Sequence, residues 1–121
     1  MSIDGAHAVH PNYTNKSDIT NDVILGKGIT VKTSASQRYL SDSEATAVVM
    51  QLCKKTDIPY QVQVNRSGMP GGQTLGPIVV SYLPMQGADI GIPMLAMHSA
   101  RELADMRDYQ ALVMFLKIFS A

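Results

Sequence analysis

The chain has 121 residues, of which 45% are hydrophobic, and this is enough for one domain with its own core. Its 10 basic and 10 acidic residues balance, so no surplus of positive charge is available to bind a nucleic-acid backbone. No apolar run approaches the roughly 20 residues of a membrane span, and no signal peptide is recognisable. The single cysteine excludes an internal disulfide and favours the cytoplasm.

The N-terminal part of the chain is predicted to contain little regular structure. Residues 2–4 could end a strand, whereas residues 5–27 are polar and rich in turn-forming residues, which predicts a long loop. Residues 28–33 alternate as a strand does and place Lys32 on the face opposite Ile29. The ordinary expectation for a lysine in such a strand is a solvated side chain.

The clearest helix is predicted to begin after residue 41. Ser41 is a candidate N-cap, and Glu44 three residues later would complete a capping box. Apolar residues at helical spacing then form one face, which comprises Ala45, Val48, Val49, Leu52 and Cys53. Because Cys53 belongs to that face, it is predicted to be a core residue and not a nucleophile.

Shorter elements are predicted in the second half of the chain. Residues 60–64 predict a half-buried strand, residues 66–73 a glycine-rich loop and residues 74–83 a short helix. Residues 88–91 and 94–97 are interpreted as two short strands, or as one strand broken between them.

The chain is predicted to end in a helix that is capped by Asp105 or Asp108. The apolar stripe expected to face the core consists of Tyr109, Leu112, Val113, Leu116 and Phe119. Strands and helices therefore alternate along the chain, which predicts an α/β fold with a mixed sheet and flanking helices. We assign residues 1–121 to one domain.

One candidate functional residue lies at the end of an apolar segment. Residues 93–97 lead to His98 and Ser99, where a helical pattern begins. We interpret this as a strand that presents His98 at the carboxyl-end rim of the sheet, where ligands bind in open α/β folds. The alternative is a histidine of the core or of a helix cap.

A second group of candidate ligands opens the chain and consists of Asp4, His7 and His10. Carboxylate and imidazole groups together suit zinc, manganese or cobalt. The same spacing is also met in polar loops whose histidines are simply exposed. A further hypothesis is a self-sufficient metal site formed by all three side chains.

Longer motifs give a more specific indication than this spacing does. In chain order they are DGAHAVHPNY, LGKG, QRY, NRSGMPGGQTLGPI, DIG and PMLAMHSARELA, and they extend over nearly the whole chain. In these motifs the sequence resembles the C-terminal third of the aspartyl aminopeptidase family, whose members are dinuclear zinc exopeptidases. The resemblance implies that the chain is part of a zinc-peptidase catalytic domain.

The resemblance also implies roles for individual residues. Asp4 would be a terminal ligand of one metal ion, and His98 would be a terminal ligand of the other. The substrate would be bound by His7, Lys32, Tyr39, Gly71 and Gly72, the two glycines acting through their backbone amides. The complete enzyme would hold two zinc ions, with manganese or cobalt as substitutes, and would remove an acidic N-terminal residue from peptide substrates.

Several parts of the family's site have no counterpart in this sequence. The family also uses an upstream histidine, a bridging aspartate and a Glu-Glu pair with the general base, whereas the only glutamates here are Glu44 and Glu102, both assigned to helix starts. We therefore expect the chain alone to hold little or no zinc, to contain no catalytic residue and to be inactive.

The expected partner is the missing N-terminal part, with its assembly domain, or another copy of the chain that covers exposed sheet edges. Two hypotheses about function follow. The first is a C-terminal fragment of a zinc-dependent aminopeptidase. The alternative is a non-catalytic α/β module that binds or complements a partner chain.

Overall fold

The computed structural model describes the whole chain, residues 1–121. The strands are β1 (Ser2–Ile3), β2 (Ala6–His7), β3 (Ile29–Thr33), β4 (Tyr60–Val64), β5 (Asp89–Gly91), β6 (Pro93–Leu95) and β7 (Leu103–Ala104). The α-helices are α1 (Ser43–Lys55), α2 (Leu75–Tyr82) and α3 (Met106–Phe119), and a 3-10 turn lies at Thr14–Lys16. None of the helices combines the length and the apolar composition that crossing a bilayer requires.

The strands form two mixed sheets. The larger sheet has the order β1-β5-β3-β4, in which β3 and β5 are antiparallel and the other neighbours are parallel. The smaller sheet has the order β2-β6-β7, with β2 parallel and β7 antiparallel to β6. These sheets and their helices confirm the predicted α/β class with a mixed sheet.

The hydrophobic core lies between one face of the larger sheet and the helices α1 and α3. It consists of Ile29, Val31, Val49, Cys53, Ile58, Ala88, Ile90, Ala111 and Phe115. Val31 lies opposite Ile90 in the register of β3 and β5, so both side chains point to the helix-covered face. Lys32 lies opposite Asp89 in the same register, and these two residues therefore point to the other face.

Aspartates cap both long helices. The cap of α1 is Asp42, whose carboxylate accepts the backbone N–H of Ala45 at 2.7 Å, so the prediction of Ser41 was wrong. Ser41 instead accepts the backbone N–H of Asp89 at 2.9 Å, which ties it to the sheet. For α3, the structure selects Asp105 from the two candidates, since its carboxylate accepts a backbone N–H of the first turn.

The predicted apolar face of α1 is only partly buried. Val49 and Cys53 belong to the core, and Ala45 and Leu52 pack against it, but Val48 is 54% exposed. The face that the sheet covers is therefore narrower than the apolar stripe in the sequence.

The predicted stripe of α3 was wrong at its ends. Tyr109 is 53% exposed and Phe119 is 49% exposed, whereas the buried residues of the helix are Asp108, Ala111 and Phe115. The helix is thus rotated from the orientation that its hydrophobic pattern indicates. The buried side of the helix includes an aspartate, Asp108, and a prediction from apolar spacing alone does not assign an aspartate to the buried side.

Asp108 binds the loop that precedes β3. Its carboxylate accepts the backbone N–H of Gly26 and that of Gly28, both at 2.7 Å. Gly28 has a φ of +101°, and a Cβ at this position would collide with the carbonyl oxygen of Pro59. Glycine and a buried carboxylate together therefore fix the entry of the chain into the central strand.

Two loop and helix predictions were wrong. Residues 5–27 are not all loop, because they contain β2 and the 3-10 turn. The helical pattern after Ser99 forms no helix and leads instead to β7, which pairs with β6. The strand β2 pairs with β6 from the other end of the chain, whereas β7 pairs with β6 across a short turn. The longer strands β3 and β4, the helix α2 and the two strands β5 and β6 are confirmed.

Burial of Cys53 leads to a prediction about its reactivity. Burial raises the pKa of the Cys53 thiol to about 11, and the folded state therefore favours the neutral thiol. We expect the native chain to resist a thiol-specific disulfide reagent at pH 8 and to react fully in urea. The stabilisation from the neutral thiol is complete below the unfolded-state pKa of 9.0 and is lost as pH rises towards 11.

A disulfide reagent that releases a coloured thiol when it reacts gives the measurement. Because the chain has a single cysteine, the absorbance of that released thiol reports on Cys53 alone. Rapid stoichiometric reaction of the native chain at pH 8 would contradict the buried position.

Candidate functional site

All of the predicted site residues except Gly71 meet in one small cavity on the side of the larger sheet that α1 and α3 do not cover. The cavity has a volume of about 80 Å³, and its walls include Asp4, His7, Lys32, Tyr39, Gly72 and His98. Gly71 lies outside it, on the wall of a neighbouring cavity of about 340 Å³. The two cavities share His7 and Gln63, so they open next to each other.

Lys32 is the central charged residue of this cavity. It is only 2% exposed, so the expectation of a solvated lysine was wrong. Its position in the middle of the sheet, between β4 and β5, explains why water does not surround it. The Nζ atom lies 3.9 Å from a carboxylate oxygen of Asp4, whose side chain is 56% exposed.

Burial and neighbouring charges act in opposite directions on Lys32. Burial lowers the pKa of its amine, and the carboxylates of Asp4 and Asp89 partly offset that effect. The Nζ atom also lies 5.5 Å from the centre of the Tyr39 ring, within the range of a cation–π contact. The cavity therefore presents a cation whose nearest carboxylate is not in tight contact with it.

Tyr39 is held by a row of amide side chains. Its phenol oxygen accepts a hydrogen bond from Asn65 at 3.4 Å, and Asn65 in turn accepts one from Gln63 at 3.3 Å. The side-chain oxygen of Gln63 is buried and has no hydrogen-bond partner. We did not single out Gln63 or Asn65 from the sequence, where the only signal is their position on the polar face of a strand.

His98 lies in the turn between β6 and β7, not at the start of a helix. Its φ is +70°, and its backbone N–H donates to the carboxylate of Glu102 at 2.6 Å. Glu102 was assigned to a helix start, and it lies instead in this turn. Because the imidazole of His98 is exposed at the cavity, the alternative of a core histidine is wrong.

His7 lies on β2, after Asp4 in the sequence, at the junction of the two cavities. Its side chain has an exposed edge, but the surrounding protein lowers the pKa of the imidazole through desolvation, and the charges of Lys32 and His98 lower it further. His7 is therefore disposed to be neutral, as an imidazole must be to accept a hydrogen bond.

The side chains of this chain do not form a complete metal site. No group of three or more histidine, cysteine, aspartate or glutamate side chains converges on one point. The self-sufficient site of Asp4, His7 and His10 is thus not formed, and His10 instead lies on the wall of the larger cavity. Carboxylate and imidazole are suitable zinc ligands, but a catalytic zinc generally has three protein ligands.

Comparison with known proteins identifies the family. A family model described as "Aminopeptidase I zinc metalloprotease (M18)" matches residues 1–120. The chain therefore belongs to the M18 family of aminopeptidases, which are zinc metalloproteases. "Probable M18 family aminopeptidase 2" of Clostridium novyi (strain NT) is 50% identical over 109 residues, which cover 90% of this chain and 25% of that relative. The protein of the same name from Stutzerimonas stutzeri (strain A1501) is 44% identical over 119 residues, which cover 98% of this chain and 28% of that relative.

Solved structures of this family have the same fold. A chain in the cryo-EM structure of the Ape4 and Nbr1 complex matches with a TM-score of 0.90 and 37% identity, over 97% of this chain and 22% of that one. The M18 aminopeptidase of Thermotoga maritima matches with a TM-score of 0.79 and 25% identity, over 93% of this chain and 27% of that one. The chain thus spans about a quarter of the length of the relatives that it matches.

Proposed function

We propose that this chain forms the C-terminal part of a metalloaminopeptidase catalytic domain and supplies the pocket that binds the N-terminal residue of a peptide. The observation that carries the proposal is the convergence of Asp4, His98 and the buried Lys32 on one cavity. These residues come from three distant parts of the sequence, and a purely structural role does not require an exposed imidazole beside a buried amine.

The charge of the cavity favours an acidic residue as the substrate. A carboxylate on the substrate side chain would replace solvent beside Lys32, whose pairing with Asp4 at 3.9 Å is loose. Tyr39 and the backbone of Gly72 border the same space and offer further donors. The function that we assign to the complete enzyme is therefore removal of N-terminal aspartate or glutamate.

Asp4 and His98 would each provide a terminal ligand to one of two zinc ions. Zinc, when bound, polarises the scissile carbonyl and activates a water molecule. The remaining ligands and the general base would come from the rest of the enzyme, as the upstream histidine, bridging aspartate and Glu-Glu pair of the aspartyl aminopeptidase resemblance imply. The chain by itself would then bind little zinc and would not hydrolyse peptides, and the single buried cysteine is compatible with work in the reducing cytoplasm.

A second candidate function is supported by the exposed apolar face of α2. Leu75 is 73% exposed, Ile78 49%, Val79 44% and Tyr82 81%, and all four lie at helical spacing. A patch of this kind is typical of a surface that another chain or domain covers. We propose that it packs against the remainder of the enzyme or a second copy; one solved relative is described as a dodecamer.

The proposed function is tested by comparing the chain with the complete enzyme that carries it. We expect hydrolysis of aspartyl-p-nitroanilide and two zinc ions only in the complete enzyme. Asp4→Asn and His98→Gln in that enzyme should each reduce the zinc content by about one ion and lower kcat by at least about 100-fold, because the water loses a metal ion.

The matched control is His10→Gln, which changes a histidine outside the smaller cavity and should leave zinc content and kcat unchanged. Hydrolysis by the isolated chain, or full activity of the His98→Gln enzyme, would refute the proposal.

A further inference from the structure

We propose that Asp89 is the positioning residue of this site: it holds the segment that carries Tyr39 and the end of the glycine-rich loop against the strand that carries Lys32. The inference rests on the proposed function, in which these groups bind the substrate. Asp89 itself is not among the residues that line the cavity, so its role is to act through its neighbours.

The carboxylate of Asp89 joins two loops that are distant in sequence. One of its oxygens accepts the backbone N–H of Leu40 at 2.5 Å and the hydroxyl hydrogen of Thr74 at 2.6 Å. Leu40 directly follows Tyr39, and Thr74 directly follows the loop that contains Gly72. Both loops are therefore anchored to the same oxygen atom. Because hydrogen bonds to an ionised carboxylate are stronger than those between neutral groups, this anchor is a strong one.

The backbone of Asp89 connects the same point to the sheet. Asp89 lies opposite Lys32 on β3 and opposite Ser2 on β1, the strand that leads to Asp4. Its backbone N–H donates to the hydroxyl of Ser41 at 2.9 Å, a second contact next to Leu40 at the C-terminal end of the Tyr39 segment. The strand of Lys32, the strand that leads to Asp4, the segment of Tyr39 and the end of the glycine-rich loop therefore all contact Asp89, whereas His7 and His98 lie on other segments.

Burial of Asp89 carries an energetic cost that a space-filling side chain would not have. The residue is 0% exposed, and its second carboxylate oxygen has no hydrogen-bond partner. A buried charge with an unsatisfied oxygen is costly, and an apolar side chain would fill the space at a lower cost. Gly76 allows this arrangement, since a Cβ there would lie 3.2 Å from both carboxylate oxygens.

The direct contact between the two loops is too exposed to replace this anchor. Arg38 donates to the carbonyl oxygen of Gly71 at 3.2 Å, at the surface. Loss of the Asp89 contacts should therefore release the two loops locally while leaving the helix-covered core in place.

The test uses Thr74→Val and Asp89→Asn in the complete enzyme, with Thr30→Val as the matched control. Thr30 is also a buried threonine, but its hydroxyl has no partner, so its removal breaks no hydrogen bond. Amide hydrogen exchange without substrate reports on the loops directly. We expect Thr74→Val to increase exchange of the Leu40 N–H, which donates to the same Asp89 oxygen as Thr74, about tenfold, the effect of weakening a hydrogen bond to a charged group, with no change in α3.

The kinetic expectation is a rise in KM of about tenfold for a peptide with an N-terminal aspartate, with kcat within about twofold and unchanged zinc content. Asp89→Asn keeps an oxygen acceptor without the charge. It should therefore raise amide exchange in residues 34–40 and KM in the same direction as Thr74→Val, but by less. Thr30→Val should match the parent in every measurement.

The proposal is overturned if Thr74→Val and Asp89→Asn leave loop exchange and KM unchanged, or if exchange rises equally in α3, since that would indicate a general structural role. Asp89→Ala is avoided because it leaves the Leu40 N–H without an acceptor and so disturbs the whole site. The exchange result does not depend on activity. A parent enzyme without peptidase activity would therefore refute the proposed function and leave the anchoring of the loops to be judged by exchange alone.

Discussion

Replacing Asp108 with alanine is expected to lower the free energy of unfolding of the chain by about 2–5 kcal/mol, the cost of leaving one buried and one partly buried N–H group without an acceptor. The two groups belong to Gly26 and Gly28, and Asp108 accepts both at 2.7 Å. Neither N–H group donates to any other acceptor in the folded chain. Urea unfolding monitored by circular dichroism measures the change.

Asp22→Ala is the matched control for this experiment. Asp22 is exposed and its carboxylate accepts no hydrogen bond in the folded chain, so its removal should change the free energy of unfolding by less than about 0.5 kcal/mol. Equal stability of the Asp108 and Asp22 variants would show that the loop before β3 does not depend on the last helix.

Replacing Lys32 with methionine is expected to raise KM for a peptide with an N-terminal aspartate by roughly 30-fold or more in the complete enzyme. The estimate corresponds to about 2 kcal/mol, the lower end of the cost of removing one partner from a buried charge pair. KM for a peptide with an N-terminal alanine should change little, because this substrate has no side-chain carboxylate. Methionine keeps the length and the apolar stem of lysine, so the sheet should retain its packing.

Lys54→Met provides the comparison, since Lys54 is an exposed lysine of α1 that forms no ion pair in the structure. It should leave both KM values unchanged. An equal rise in KM for the aspartyl and alanyl peptides after Lys32→Met would contradict the assignment of Lys32 to the substrate carboxylate, and would indicate a general loss of the pocket.

Much of the candidate site could be predicted because its residues lie in long motifs. Asp4, His7 and His98 were placed by motif resemblance, and the structure brings all three to the cavity of Lys32 and Tyr39. Their roles as ligands and substrate contacts stay predictions. Asp89 lies in the DIG motif, but neither it nor Gln63 received a role from the sequence, because their importance depends on partners from other segments and not on a pattern of neighbours.

The sequence by itself determined the α/β class, the strands β3 and β4 and the helices α1 and α3, because each has a periodic pattern of several residues and local capping signals. It could not determine the rotation of α3, the pairing of β7 or the burial of Lys32. Periodicity shows which side of an element is apolar, but not which neighbours cover it.

Only the tertiary structure decided these points. Lys32 is buried because its strand lies between two others, and Asp108 faces the core because a loop 80 residues away supplies its hydrogen-bond donors. Both depend on contacts between distant segments, whose free energy outweighs the local preference of a charged side chain for water.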